Sequence, residues 1–190
     1  MKKMLILTAA ISALQLFAGE ELAINGNFQP NPRSKYSIPL SWHSQHTEYK
    51  KDIDKVKFTL SEPDAKGIHT LTVVTSPDYK KDEKLWKNFC FFTTNTKLLQ
   101  TVKGDVFMVS AEIAGKGKLR YGFLGYGAPG VTKKIEATKD FQKISFEWTT
   151  KNVKGDAAGK AFYRLFFEFS PGSSIQIRDV KLLVKQRGQK

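Results

Sequence analysis

The chain has a single cysteine, Cys90, among 190 residues, so no internal disulfide can form and the fold must hold by its core. Lying within the apolar stretch Asn88-Phe89-Cys90-Phe91-Phe92, it reads as a small buried hydrophobe. Helical periodicity is scarce, which argues against a helix bundle. No apolar run approaches the roughly 20 residues that cross a bilayer as a helix, so no membrane span is expected. The G-x-S-x-G, H-E-x-x-H and P-loop patterns are absent. Asp and Glu number only 18 against 31 Lys and Arg, which leaves few pairs of carboxyls for glycoside hydrolysis. Of the three histidines, His43 and His46 have a spacing that suits a metal on a helix. Their segment follows Pro39 and lacks helical periodicity, so metal ligation is not expected there.

What is present begins with a leader. Lys2 and Lys3 precede an apolar run from Met4 to Ala13, then small residues around Ala18 and the acidic pair Glu20 and Glu21. This is the layout of a secretory signal peptide, with cleavage expected after Ala18. No cysteine stands at that point, so lipid anchoring is not expected. Residues 19–186 suit one domain of ordinary size with a sizeable core, and 187–190 form a polar tail. The net charge is +13; the leader holds Lys2 and Lys3 and no acid, leaving +11. Such an excess favours polyanionic partners such as acidic polysaccharides or the anionic cell envelope. The lysines are scattered through loops, however, and not gathered on one stripe, so they read first as a solubilising surface. Export and the lack of a recognised motif count against specific nucleic-acid binding.

Apolar and polar residues alternate in Val56-Lys57-Phe58-Thr59-Leu60 and Lys143-Ile144-Ser145-Phe146-Glu147-Trp148, the period of half-buried strands. Further strands are expected over 22–25, 69–75, 88–94, 106–114, 119–126, 162–169 and 174–184. Turn signals separate them, among them Gly115-Lys116-Gly117 and Ser170-Pro171-Gly172. Many short strands with such turns predict an all-β antiparallel sandwich. The long irregular stretches, 27–41, 76–87, 127–136 and 151–160, are the loops expected to carry function.

The order of motifs adds to this. Leu22-Ala23-Ile24-Asn25-Gly26-Asn27-Phe28 is followed by Ile38-Pro39-Leu40-Ser41-Trp42, later by Val102-Lys103-Gly104-Asp105-Val106-Phe107, and finally by Ile175-Gln176-Ile177-Arg178-Asp179-Val180. In that order they resemble the carbohydrate-binding modules with a galactose-binding-like jelly roll that accompany xylanases and glucanases. The resemblance covers nearly the whole mature chain and implies a jelly roll with polar groups on a concave sheet beside aromatic platforms. It also implies a structural calcium, for which Asp179 and Asn27 are the candidates. Asn27 and Gln29 stand where acids are usual, and Arg178 stands where a second aspartate often does, so such a site would be poor. No other cofactor is implied.

Strand parity then selects side chains. Phe107, Val109, Ala111 and Ile113 share one face and leave Glu112 on the other; Arg120 alternates with Leu119 and Tyr121, and Arg164 and Glu168 alternate with Tyr163, Leu165 and Phe167. Arg120, Arg164, Glu112 and Glu168 are therefore expected to share a face where a glycan binds, with Tyr126, Trp86 and Tyr79 as candidate platforms. The same pattern also fits a solvated face laced with cross-strand ion pairs. Trp42 and Trp148 read as core. Together these features predict an exported, noncatalytic carbohydrate-binding protein, periplasmic, surface-bound or extracellular. An envelope or assembly protein that uses the sandwich for protein contact is the alternative, and would show a large exposed apolar patch. A polysaccharide lyase is third, and needs a histidine and a tyrosine near Arg120 or Arg164; His69 is the histidine on an expected strand.

Overall fold

The computed structural model describes residues 20–22, 24–44, 53–79, 89–93, 100–126, 130–150 and 161–188. The leader lies outside them. Eleven strands are found among the described residues: β1 Glu20–Glu21, β2 Trp42–Ser44, β3 Val56–Leu60, β4 Leu71–Thr75, β5 Phe89–Thr93, β6 Gln100–Thr101, β7 Val106–Tyr126, β8 Val131–Ala137, β9 Gln142–Thr149, β10 Ala161–Phe169 and β11 Ser174–Gln186. Every pairing is antiparallel.

Two sheets result. Sheet 1 runs β9-β7-β11-β4-β3, with β1 beside the end of β11. Sheet 2 runs β2-β5-β10-β7-β8, with β6 beside the start of β10. The long strand β7 belongs to both, giving residues 106–116 to sheet 1 and 117–126 to sheet 2. Its odd-numbered residues Phe107, Val109, Ala111, Ile113, Leu119, Tyr121 and Phe123 are all buried. They meet inward residues from both sheets: Phe123 lies 5.8 Å from Phe146 of β9, and Phe58 of β3 lies 5.6 Å from Phe91 of β5. Trp42 is buried as expected, and Trp148 packs edge-on against Tyr163 at 4.5 Å.

Three expectations are corrected. Gly115-Lys116-Gly117 is a bend within a continuous strand and not a turn between two strands. Both glycines take φ 119, and a Cβ on Gly115 would stand 2.1 Å from the Ser174 carbonyl oxygen, so the strand bends where the β10 to β11 connection crosses it closely. Residues 131–137, read as loop, form β8. This edge strand pairs only with β7, so few of its side chains need be apolar and its alternation is diluted by Lys133 and Lys134. Of the strand read over 22–25, Leu22 still donates to the Leu182 carbonyl of β11 at 2.8 Å, but the chain has left the ladder by Ile24: the Ile24 amide bonds the Leu22 carbonyl at 2.9 Å, and Asn25 takes φ 54.

Candidate functional site

The face of sheet 2 turned away from the core is not a bare solvent surface. In β10, Tyr163, Leu165, Phe167 and Phe169 join the core cluster, whereas Phe166 and Glu168 point the other way and are still buried, Phe166 fully and Glu168 with 3% exposed. Glu168 stands directly opposite Arg120 of β7. Its Oε2 accepts from Arg120 Nε at 2.8 Å and also from Arg120 Nη2, while the guanidinium, 33% exposed, lies over the Phe166 ring at 5.8 Å. One half of this pair is thus dry and the other wet. A charge-assisted fork of this kind fixes the arginine in one orientation on rigid strands.

Arg164 lies on the same face, opposite Leu124 and about 13 Å along β10 from Glu168 at the usual rise per residue. Gly122, between Arg120 and Leu124, lies against β8 so closely that a Cβ there would stand 2.0 Å from the Val131 carbonyl oxygen, and Phe166 fills the same row from β10. Lys134 of β8 stands opposite Arg120 on its other side. It was hidden in the sequence because its strand reads as loop; the one signal for it is the apolar parity of Val131, Ile135 and Ala137.

Glu112 does not join this group. It lies on the sheet 1 half of β7, eight residues and about 26 Å of strand from Arg120. There it accepts from Arg178 Nε at 2.7 Å, and Arg178 stacks on Phe141 at 3.9 Å. Strand parity predicts the face correctly but not the sheet, since β7 passes from one to the other. Tyr79, taken as a platform, is buried in the core. The side chain of Tyr126, which ends β7 opposite Phe162, lies outside the described residues, as do Trp86 and His46.

His69 is buried before β4 in the sheet 1 half, with Nδ1 2.8 Å from the Ser61 carbonyl oxygen, so it does not approach Arg120 or Arg164. His43 shares the outer face of sheet 2 through its register with Phe92, but three strand spacings, about 14 Å, separate β2 from β7. Tyr121 and Tyr163 point into the core, where burial pushes both phenols above their ordinary pKa. Among the described residues, then, the histidine, tyrosine and arginine of a lyase are not brought together.

The N-terminal turn is structural. Asn25 Nδ2 donates to the Leu40 carbonyl at 2.6 Å, its Oδ1 accepts from the Gln29 amide at 2.9 Å, and the Trp42 indole donates to the Asn25 carbonyl at 3.0 Å. Gly26 is obligatory because a Cβ there would lie 1.6 Å from the Val180 carbonyl oxygen. Between this turn and the bulge of β11 lies a cavity of about 450 Å³ lined by Glu21, Asn27, Asp179 and Lys181, where calcium would sit. Asp179 faces Lys181 Nζ at 3.4 Å, Asn27 is neutral, and among the described residues no three acids, histidines or cysteines gather. Calcium takes roughly six to eight oxygens and gains from carboxylate charge, so these residues do not fit it. Chelation is accordingly expected to leave the thermal midpoint unchanged, which calorimetry with and without EDTA checks.

No family model matches the sequence, and no curated protein matches it in sequence. Solved structures do match in fold. The CBM22-1 xylan-binding domain from Paenibacillus barcinonensis Xyn10C superposes with a TM-score of 0.54 at 11% identity, covering 90% of this chain and 99% of that one. A CBM4 module gives 0.54 at 16% identity, covering 85% and 99%. An arabinose-bound α-L-arabinofuranosidase gives 0.57 at 13% identity over 88% of this chain and 26% of the enzyme. At these identities the likeness is one of fold, and the fold is the β-sandwich of the CBM22 and CBM4 carbohydrate-binding modules.

Proposed function

We propose that the protein is an exported, noncatalytic carbohydrate-binding protein that holds a poly- or oligosaccharide on the outer face of sheet 2, around Arg120, Glu168 and Arg164. The carrying observation is the Arg120–Glu168 pair, buried at its carboxylate on the face away from the core. Apolar residues of similar volume serve stability as well as a buried ion pair or better, so such a pair is a poor choice for stability and a good one for orienting donors toward hydroxyl groups. The fold similarity to a xylan-binding domain supports the same reading. Export rests on the leader at residues 1–18.

The protein-contact alternative finds less support. The exposed large apolar side chains among the described residues, Tyr36, Leu40, Val74 and Phe141, fall on three separate segments, and Arg178 covers Phe141. Screening residues 19–190 against neutral and acidic glycans at physiological and high salt tests the proposal. Binding that persists at high salt and falls about tenfold in Arg164→Ala, with an unchanged melting curve, is the expected result. Failure to bind any glycan, or equal binding by the variant, sinks it.

A further inference from the structure

Resting on that reading, we infer that the glycan is acidic and that a uronate carboxylate lies between Lys134 and Arg120. The argument starts from the β7–β8 ladder. Lys118 faces Glu136, an ordinary pairing of opposite charges, but the next outward row sets Lys134 directly against Arg120. Like charges directly opposite each other on neighbouring strands are destabilising, with Cβ atoms about 5 Å apart. Glu168 relieves this row only in part: its Oε2 takes Nε and Nη2 of Arg120 from the far side and leaves the Lys134 charge without a counter-ion among the described residues.

The exposed ammonium of Lys134 makes no ion pair among the described residues. The Nη1 edge of Arg120 likewise donates to none of them. Along β7 and β8, Lys118 faces Glu136 and Arg120 holds Glu168, which leaves Lys134 as the unmatched cation among the described residues of these two strands. An exposed ammonium beside a guanidinium edge that donates to no described residue suits a planar carboxylate, which an arginine takes by paired hydrogen bonds and a lysine by charge.

Calorimetric titration with glucuronic-acid-substituted xylo-oligosaccharides, and with the same compounds after reduction of the carboxyl to the alcohol, tests this. Tighter binding of the acid form is expected, with Lys134→Gln losing about fivefold for the acid form and nothing for the reduced one. Lys57→Gln, which removes the same charge from sheet 1, is expected to change neither. Equal binding of acid and reduced forms overturns this inference while leaving sugar binding standing, and equal losses from Lys134→Gln and Lys57→Gln reduce it to overall charge. Dextran sulfate bound as tightly as the uronate overturns it too. Failure of every compound, acid or neutral, removes the underlying reading as well.

Discussion

Arg120→Ala is expected to destabilise the domain by about 3–5 kcal/mol, whereas the double variant Arg120→Met, Glu168→Leu recovers most of that loss and binds no glycan. The asymmetry comes from the two exposures. Glu168 is 3% exposed, so removing Arg120 takes two charge-assisted hydrogen bonds from a carboxylate that water hardly reaches; Arg120 is 33% exposed, so Glu168→Ala leaves a guanidinium that water still reaches, and costs less. Replacing both groups removes the desolvated charge and puts apolar volume beside Phe166. Urea denaturation of the four proteins gives the stabilities, and titration with the best glycan gives binding. A double variant that is as stable as the parent and still binds would mean that the pair serves neither purpose and would overturn the proposed site. One that stays as unstable as Arg120→Ala would show that the pair is a structural support.

The second large effect concerns Trp42. The indole stacks on Phe91 with ring centroids 4.8 Å apart and planes 8° from parallel, touches Phe28 at 5.3 Å and lies 6.0 Å from Phe167. Its N–H holds the Asn25 carbonyl, and Asn25 in turn ties down residues 29 and 40. Trp42→Ala is expected to cost about 3–5 kcal/mol through the cavity alone. Trp42→Phe keeps the stacking and loses the hydrogen bond, for about 1–2 kcal/mol. Denaturant midpoints give both values. Equal losses in the two variants would show that the bond to Asn25, and not the aromatic packing, closes the N-terminal turn.

Much of the fold is legible because burial on one face forces alternation. Val56–Leu60 carries it fully, and β9, β10 and β11 begin and end within a few residues of where the pattern does. Legibility fails at β8 because an edge strand has only one neighbour to satisfy. It fails again at Gly115-Lys116-Gly117, since glycine marks a bend and a reversal alike. These two failures account for Glu112 and Lys134, whereas Tyr79 was misplaced because a loop aromatic can turn into the core with no periodic signal. Arg120, Glu168 and Arg164 come together because parity carries within one sheet, Glu112 is lost across the bend, and Lys134 goes unseen because its strand does. Trp86 lies outside the described residues.

The last strand, β11, lies in the interior of sheet 1, between β7 and β4, and it also receives β1 from the start of the domain. A ribosome therefore completes β3, β4, β7 and β9 long before the segment that joins β4 to β7 exists. Until residues 174–186 emerge, two edges of one sheet stay open and the first strand has nothing to pair with. Closure by contacts so distant in sequence is slow, and the waiting chain exposes its apolar faces to other molecules. The order of synthesis thus runs against the order of assembly, and the domain is expected to fold only after its chain is complete.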